Sequence, residues 1–136
     1  MTELLADIIL TEDQKSIIES TAEKILKSLG VQPRLKGVRY IIAAVLMLIQ
    51  SPRIPMTKPN GVYPTIARMY GVKMNSVERC MRYVIEELFL KGNMERIIEL
   101  CGYIDPDKMS MTVSSFLCYL AKETYLHCTG SSERIV

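Results

Sequence analysis

The sequence predicts an all-α fold. Three observations carry that expectation. Apolar residues recur at the spacing of amphipathic helices. Each such stretch is bracketed by residues that start or stop helices. No run alternates apolar and polar residues as a half-buried strand would. The 136 residues suffice for one domain with a real core. Of these, 49% are apolar, with 7 Gly and 6 Pro, a composition far from that of a disordered chain.

The elements follow in order. Thr11 to Gln14 reads T-x-x-Q, a capping box. Behind it Ile18, Ala22, Ile25 and Leu29 keep one helical face, and Gly30 stops the helix. A second helix is expected from about Leu35 to Gln50, with Val38, Ile41, Ile42, Val45, Leu46 and Ile49 facing inward. Its apolar run "IIAAVLMLI" is shorter than the roughly 20 residues a bilayer demands, so no membrane partner is expected. "SPRIPMTKPNG", with three prolines and an Asn-Gly, is a loop. The third helix runs from Tyr63 to Tyr70, with Pro64 in its first turn, where a missing N–H costs nothing. The fourth spans about Ser76 to Lys91 and stops at Gly92. A short fifth covers Met94 to Cys101, ended by Gly102. After the loop "YIDPDKMSM", Thr112 is the N-cap of a last helix from Val113 to about His127, with Phe116, Leu117 and Leu120 buried. No internal repeat is visible. Residues 1–19 form a leader and the start of the first helix, 20–128 the domain proper, and 129–136 a flexible tail.

Composition excludes several function classes. The N-terminal "MTELLADIILTEDQ" has no basic stretch and carries Glu3 and Asp7, so it does not read as a signal peptide. Cys80, Cys101, Cys118 and Cys128 form no C-x-x-C pair, and His127 is the single histidine. No metal site and no cofactor are expected. Free cysteines fit a reducing cytoplasm. There is no histidine-centred site, glycine-rich phosphate loop or acid pair, so no enzyme is expected. The net charge of +2 hides an uneven distribution. Residues 31–85 hold nine Lys/Arg against one Glu, whereas residues 1–30 and 86–136 are each net −3. A basic middle between acidic ends is a footprint for a polyanion.

The stretch "YPTIARMYGVKMNSVERCMRYV" (Tyr63–Val84) fits a helix-turn-helix. That motif needs a small residue where its helices approach, a turn residue tolerant of positive φ, and an apolar residue on the inner face of the second helix. Ile66, Ala67, Gly71, Val72, Val77 and Cys80 supply those residue types in register. Rotation by about 100° per residue puts Met81, Val84 and Leu88 with Val77 on the core stripe. It puts Asn75, Arg79, Arg82 and Glu86 opposite. The exposed N-terminal end of such a helix enters the major groove of duplex DNA. Arg79 is matched to guanine O6 and N7, and Arg82 to a base or a phosphate. Glu78 has two readings: acceptor for cytosine N4, or the closing residue of a capping box with Asn75. Lys58, Arg68 and Lys73 are candidates for phosphate contacts, and Arg34, Lys36 and Arg39 are weaker ones.

Five pieces, "LGVQPRLKGVRY", "VYPTIARMYGV", "SVERCMRYVIEE", "KGNMERIIELCGY" and the Thr112–Phe116 helix start, resemble the C-terminal DNA-binding effector domain of stage-zero sporulation protein A. They cover about residues 20–127 in order. The resemblance implies a six-helix domain that binds a short site in promoter DNA; a regulator of this kind is expected to bind duplex DNA as a dimer or in tandem copies. It implies base reading by Glu78 and Arg79, with Arg82 near backbone or bases. It also implies a surface around Met94–Glu99 that faces RNA polymerase or its sigma subunit. Ser76 and Tyr83 stand where that family usually carries Arg and His. They are expected at the DNA backbone with altered site preference. The family places a phosphorylatable receiver domain upstream. About 19 residues precede the match here, so an effector unit lacking a receiver is expected. The acidic, apolar "MTELLADIIL" is a candidate self-association element. Two functions compete: a sequence-specific transcription regulator, and an interaction module or antagonist that kept the fold and pairs with a full-length regulator or the transcription machinery.

Overall fold

The computed structural model describes residues 7–102 and 111–129. Over them it shows six helices and no strand: α1 (Glu12–Leu29), α2 (Lys36–Gln50), α3 (Val62–Tyr70), α4 (Met74–Lys91), α5 (Met94–Cys101) and α6 (Val113–Cys128). All of the flexible tail expected at 129–136 except Thr129, and most of the loop "YIDPDKMSM", lie outside the described residues.

Local chemistry sets the helix ends. Thr11 N–H donates to Gln14 Oε1 at 2.9 Å and Gln14 N–H to Thr11 Oγ1 at 3.1 Å, the reciprocal pair that satisfies two orphan donors of α1. Thr112 caps α6 by accepting from the Ser115 N–H at 3.2 Å. The expected inner faces of α1 and α6 are buried, Ile18, Ala22, Ile25 and Leu29 in one and Phe116, Leu117 and Leu120 in the other.

α2 is the central helix and packs against α1, α3, α4 and α6. Its orientation differs from the expected one. Val38, Ile41, Val45 and Ile49 are buried, but so are Tyr40, Ala44 and Leu48, while Ile42 and Leu46 are only half-buried. The reason is that α2 is apolar nearly all round, so its pattern has no phase. Packing against α4 selects the face. A Cβ on Gly37 would lie 2.2 Å from the Cys80 carbonyl oxygen and 2.8 Å from Val84 Cγ2, so the backbones of α2 and α4 meet here because Gly37 has no side chain. At the far end of α4, the Asn93 N–H donates to the Leu29 carbonyl at 2.8 Å and ties the α4–α5 corner to the end of α1.

Two buried groups make the fold sensitive to alkali. Burial pushes the Cys101 thiol up to about 11. Burial first, then the negative charge of Glu78, pushes the Tyr63 phenol up to about 12. Both are neutral acids whose proton the folded state holds more tightly than the unfolded chain. Their stabilising contribution is therefore complete below the unfolded pKa values and is lost as pH rises through the folded ones. The melting temperature is expected to fall steadily between pH 9 and 12, and Cys101→Ala with Tyr63→Phe to flatten that slope. A melting temperature independent of pH over this range would contradict it.

Candidate nucleic-acid interface

The two helices α3 and α4 are joined by only three residues, Gly71 to Lys73. Gly71 ends α3 in the left-handed region at φ 66°, and its N–H donates to the Ala67 carbonyl. The Val72 N–H reaches the same carbonyl at 2.9 Å. This closes α3 in one turn and leaves Lys73 in extended conformation as the first cap of α4. Ile66 and Ala67 on α3, with Val77, Met81, Val84 and Leu88 on α4, are buried as the register requires. Val72 is exposed, and Cys80 is half-buried at the Gly37 crossing.

α4 starts at Met74, two residues before the expected Ser76, and this changes one assignment. Lys73 is the N-cap, and no side-chain cap bond forms there. The Lys73 carbonyl accepts from the Ser76 and Val77 N–H groups at 3.0 and 3.2 Å. Asn75 is already inside the helix, so the Asn75–Glu78 capping box does not exist. Glu78 turns the other way and accepts from Arg82 Nη1 at 2.5 Å, an i,i+4 pair on one flank of α4.

The remaining candidates fall into groups. Arg79 is exposed and has no ion-pair partner among the described residues. Asn75 is exposed beside it, and Arg82 is exposed but paired with Glu78. On the other flank Ser76 is half-buried and Tyr83 is 51% exposed. Lys73 and Lys58 are exposed, one at the turn and one on the loop before α3. Arg68 is exposed too, yet its guanidinium donates to the Pro59 carbonyl at 3.2 Å and to Thr65 Oγ1 at 3.3 Å. It therefore braces the loop that carries Lys58. That loop is also pinned by Val62 N–H to the Pro55 carbonyl and Tyr63 N–H to the Met56 carbonyl, at 2.9 and 3.0 Å. Arg39 lies apart from this face, in a groove between α1 and α2.

The sequence did not reveal the company Glu78 keeps. With Asn75 and Met74 it lines an open cleft of about 340 Å³ shared with Thr57, Tyr63 and the start of α6 at Thr112–Ser114. Glu78 is thus a flank residue, 33% exposed at its side chain, rather than one on the outermost line of the helix. His127, the single histidine, sits 2.8 Å from Glu123 at the end of α6. No helix among the described residues is long and apolar enough to cross a membrane.

The fold and this face define a helical domain whose second paired helix, set by a glycine turn, presents basic side chains outward. Which domain of that class it is follows from the sequence. The family model described as "Sporulation initiation factor Spo0A C terminal" matches residues 22–124, and the chain belongs to that family. It is a family of DNA-binding domains of sporulation transcription factors and not a family of enzymes.

Proposed function

We propose that the chain is a sequence-specific transcription regulator that sets the N-terminal half of α4 in the major groove of promoter DNA. The observation that carries this is Arg79, exposed and without an ion-pair partner among the described residues, on a helix whose opposite stripe is locked in the core. Asn75 and the Glu78–Arg82 pair flank Arg79 as further base-reading groups, with Arg82 within reach of base or phosphate. Lys58 and Lys73 meet the backbone on either side. Arg68 meets it only as far as its bracing of Pro59 allows, and Ser76 and Tyr83 line the second flank. Binding as a dimer or in tandem copies, and a surface on α5 around Met94–Glu99 turned toward the polymerase sigma subunit, belong to the same proposal. In support of that surface, Ile98 is exposed between Glu95 and Glu99, while Arg96 is bonded to Glu99 and to Ser28 Oγ.

The test is binding of the chain to a promoter-site duplex and to a scrambled duplex across a salt series. Affinity for both is expected to fall with salt, as phosphate neutralisation requires. The promoter duplex is expected to bind at least about a thousandfold more tightly. Lys58→Ala should weaken both duplexes alike and lower the salt slope by about one. Equal, weak binding to both duplexes would sink the regulator reading. The interaction module, which the uncharged Ser76 and the exposed Tyr83 ring favour, would then lead.

A further inference from the structure

The side of α2 that faces away from the core is apolar. A helix on the surface of a small domain ordinarily turns charged residues there. Here Ile42, Ala43, Leu46 and Met47 form the floor of an open groove, with Arg39 and Gln50 at its ends. One wall is α1, through Ser16, Glu19, Ser20 and Glu23, and Met69 and Tyr70 of α3 close the groove near Arg39. The volume is about 510 Å³. The floor from Ile42 to Gln50 is about 12 Å long at 1.5 Å per residue, or roughly two helical turns. Of these half-buried side chains, Ile42 and Leu46 are ones the sequence pattern assigns to the core.

We propose that this groove docks an amphipathic helix of a partner protein that carries Lys or Arg along one edge. The apolar floor takes side chains spaced at i, i+3, i+4 and i+7, the ordinary helix-in-groove mode. The α1 wall sets the sign of the edge. Glu19 and Glu23 stand four residues apart on it, and neither has an ion-pair partner among the described residues. A cationic edge neutralises them, whereas an acidic edge is repelled. The single groove cation, Arg39, stands at the Tyr70 end, where the C-terminal carbonyls of a docked helix are favoured.

A second copy of this chain is the poorer occupant, on grounds of charge. Three of its exposed apolar side chains have carboxylates beside them: Leu90 follows Glu86 and Glu87, the second of which is paired with Lys91, Ile98 lies between Glu95 and Glu99, and Ile9 lies near Asp7, Glu12 and Asp13. Each would bring like charge against Glu19 and Glu23. Tyr83, beside Arg79 and Arg82, lies on the face proposed for DNA.

The test uses the full chain and a pair of synthetic helical peptides with leucines at i, i+3, i+4 and i+7. One has lysines along an edge, and the other has glutamates at the same positions. In fluorescence anisotropy at low salt the lysine peptide is expected to bind about tenfold tighter, since two charge pairs turn from attraction to repulsion. The double variant E19K/E23K should reverse the preference, a result that loss of folding cannot mimic. Leu46→Gln, at a half-exposed position, should abolish binding of both peptides with the circular dichroism spectrum unchanged. Equal binding of the two peptides, or a preference that survives E19K/E23K, overturns the proposal. So does a dimer in sedimentation that Leu46→Gln dissociates, which would assign the groove to a second copy.

Discussion

Gly37→Ala is expected to destabilise the fold by about 3 kcal/mol, the upper part of the range for overpacking. On an exposed helix the same change gains about 1 kcal/mol, because alanine is the better helix former. The reversal of sign comes from what stands opposite. The new Cβ would be 2.2 Å from the Cys80 carbonyl oxygen and 2.7 Å from its carbon, where ordinary contact begins near 3.4 Å. These are backbone atoms of α4, so no rotamer change relieves the contact, and α2 and α4 must move apart. The movement exposes Val38 and Ile41 on one helix and Val77, Met81 and Val84 on the other, all buried now. α4 also carries Arg79, so affinity for DNA should fall along with stability on the proposed reading. Chemical denaturation measures the first effect and duplex titration the second. A Gly37→Ala protein as stable as the wild type would mean that the two helices do not cross at Gly37.

What the sequence reveals of this molecule follows from how local each signal is. The caps of α1 and α6 are legible because Thr11 with Gln14, and Thr112 with the Ser115 N–H, act within one turn. The core stripe of α4 is legible because Val77, Met81, Val84 and Leu88 alternate with charged residues, which gives the pattern a phase. α2 has no such contrast. The pattern therefore identifies a helix but not its inner face, and Ile42 and Leu46 fall in the groove. The start of α4 is displaced for a different reason. Asn75-Ser76-Val77-Glu78 competes as a cap, but the one-turn closure of α3 at Gly71 leaves the chain ready to re-enter helix at Met74. The approach of Gly37 to Cys80, and of Tyr63 to Glu78, joins residues far apart in sequence. Only the glycine inside an otherwise apolar helix start hints at the first of these contacts.

Of the candidate contacts in the interface, Arg79 should matter most. Its neighbours on α4 show why its loss can be read cleanly. Arg82 is paired with Glu78, so Arg82→Ala leaves a carboxylate without its partner and changes two groups at once. Arg68→Ala releases Pro59 and disturbs the loop that holds Lys58. Arg79 is exposed and unpaired among the described residues, and α4 is anchored by the opposite stripe, so its removal leaves the scaffold in place. On the proposed reading, Arg79→Ala costs about 1–3 kcal/mol on the promoter-site duplex, which corresponds to an affinity roughly 5- to 150-fold lower. On the scrambled duplex it costs only the share of one surface charge, so the preference between the two collapses. Arg79→Lys separates charge from geometry. A lysine keeps the positive charge and the salt slope, but it lacks the planar fork that meets guanine O6 and N7 together. It should therefore bind the scrambled duplex like the wild type and still lose most of the discrimination. If Arg79→Lys keeps full discrimination, Arg79 contributes only charge, and the specificity must come from Asn75 and the Glu78–Arg82 flank.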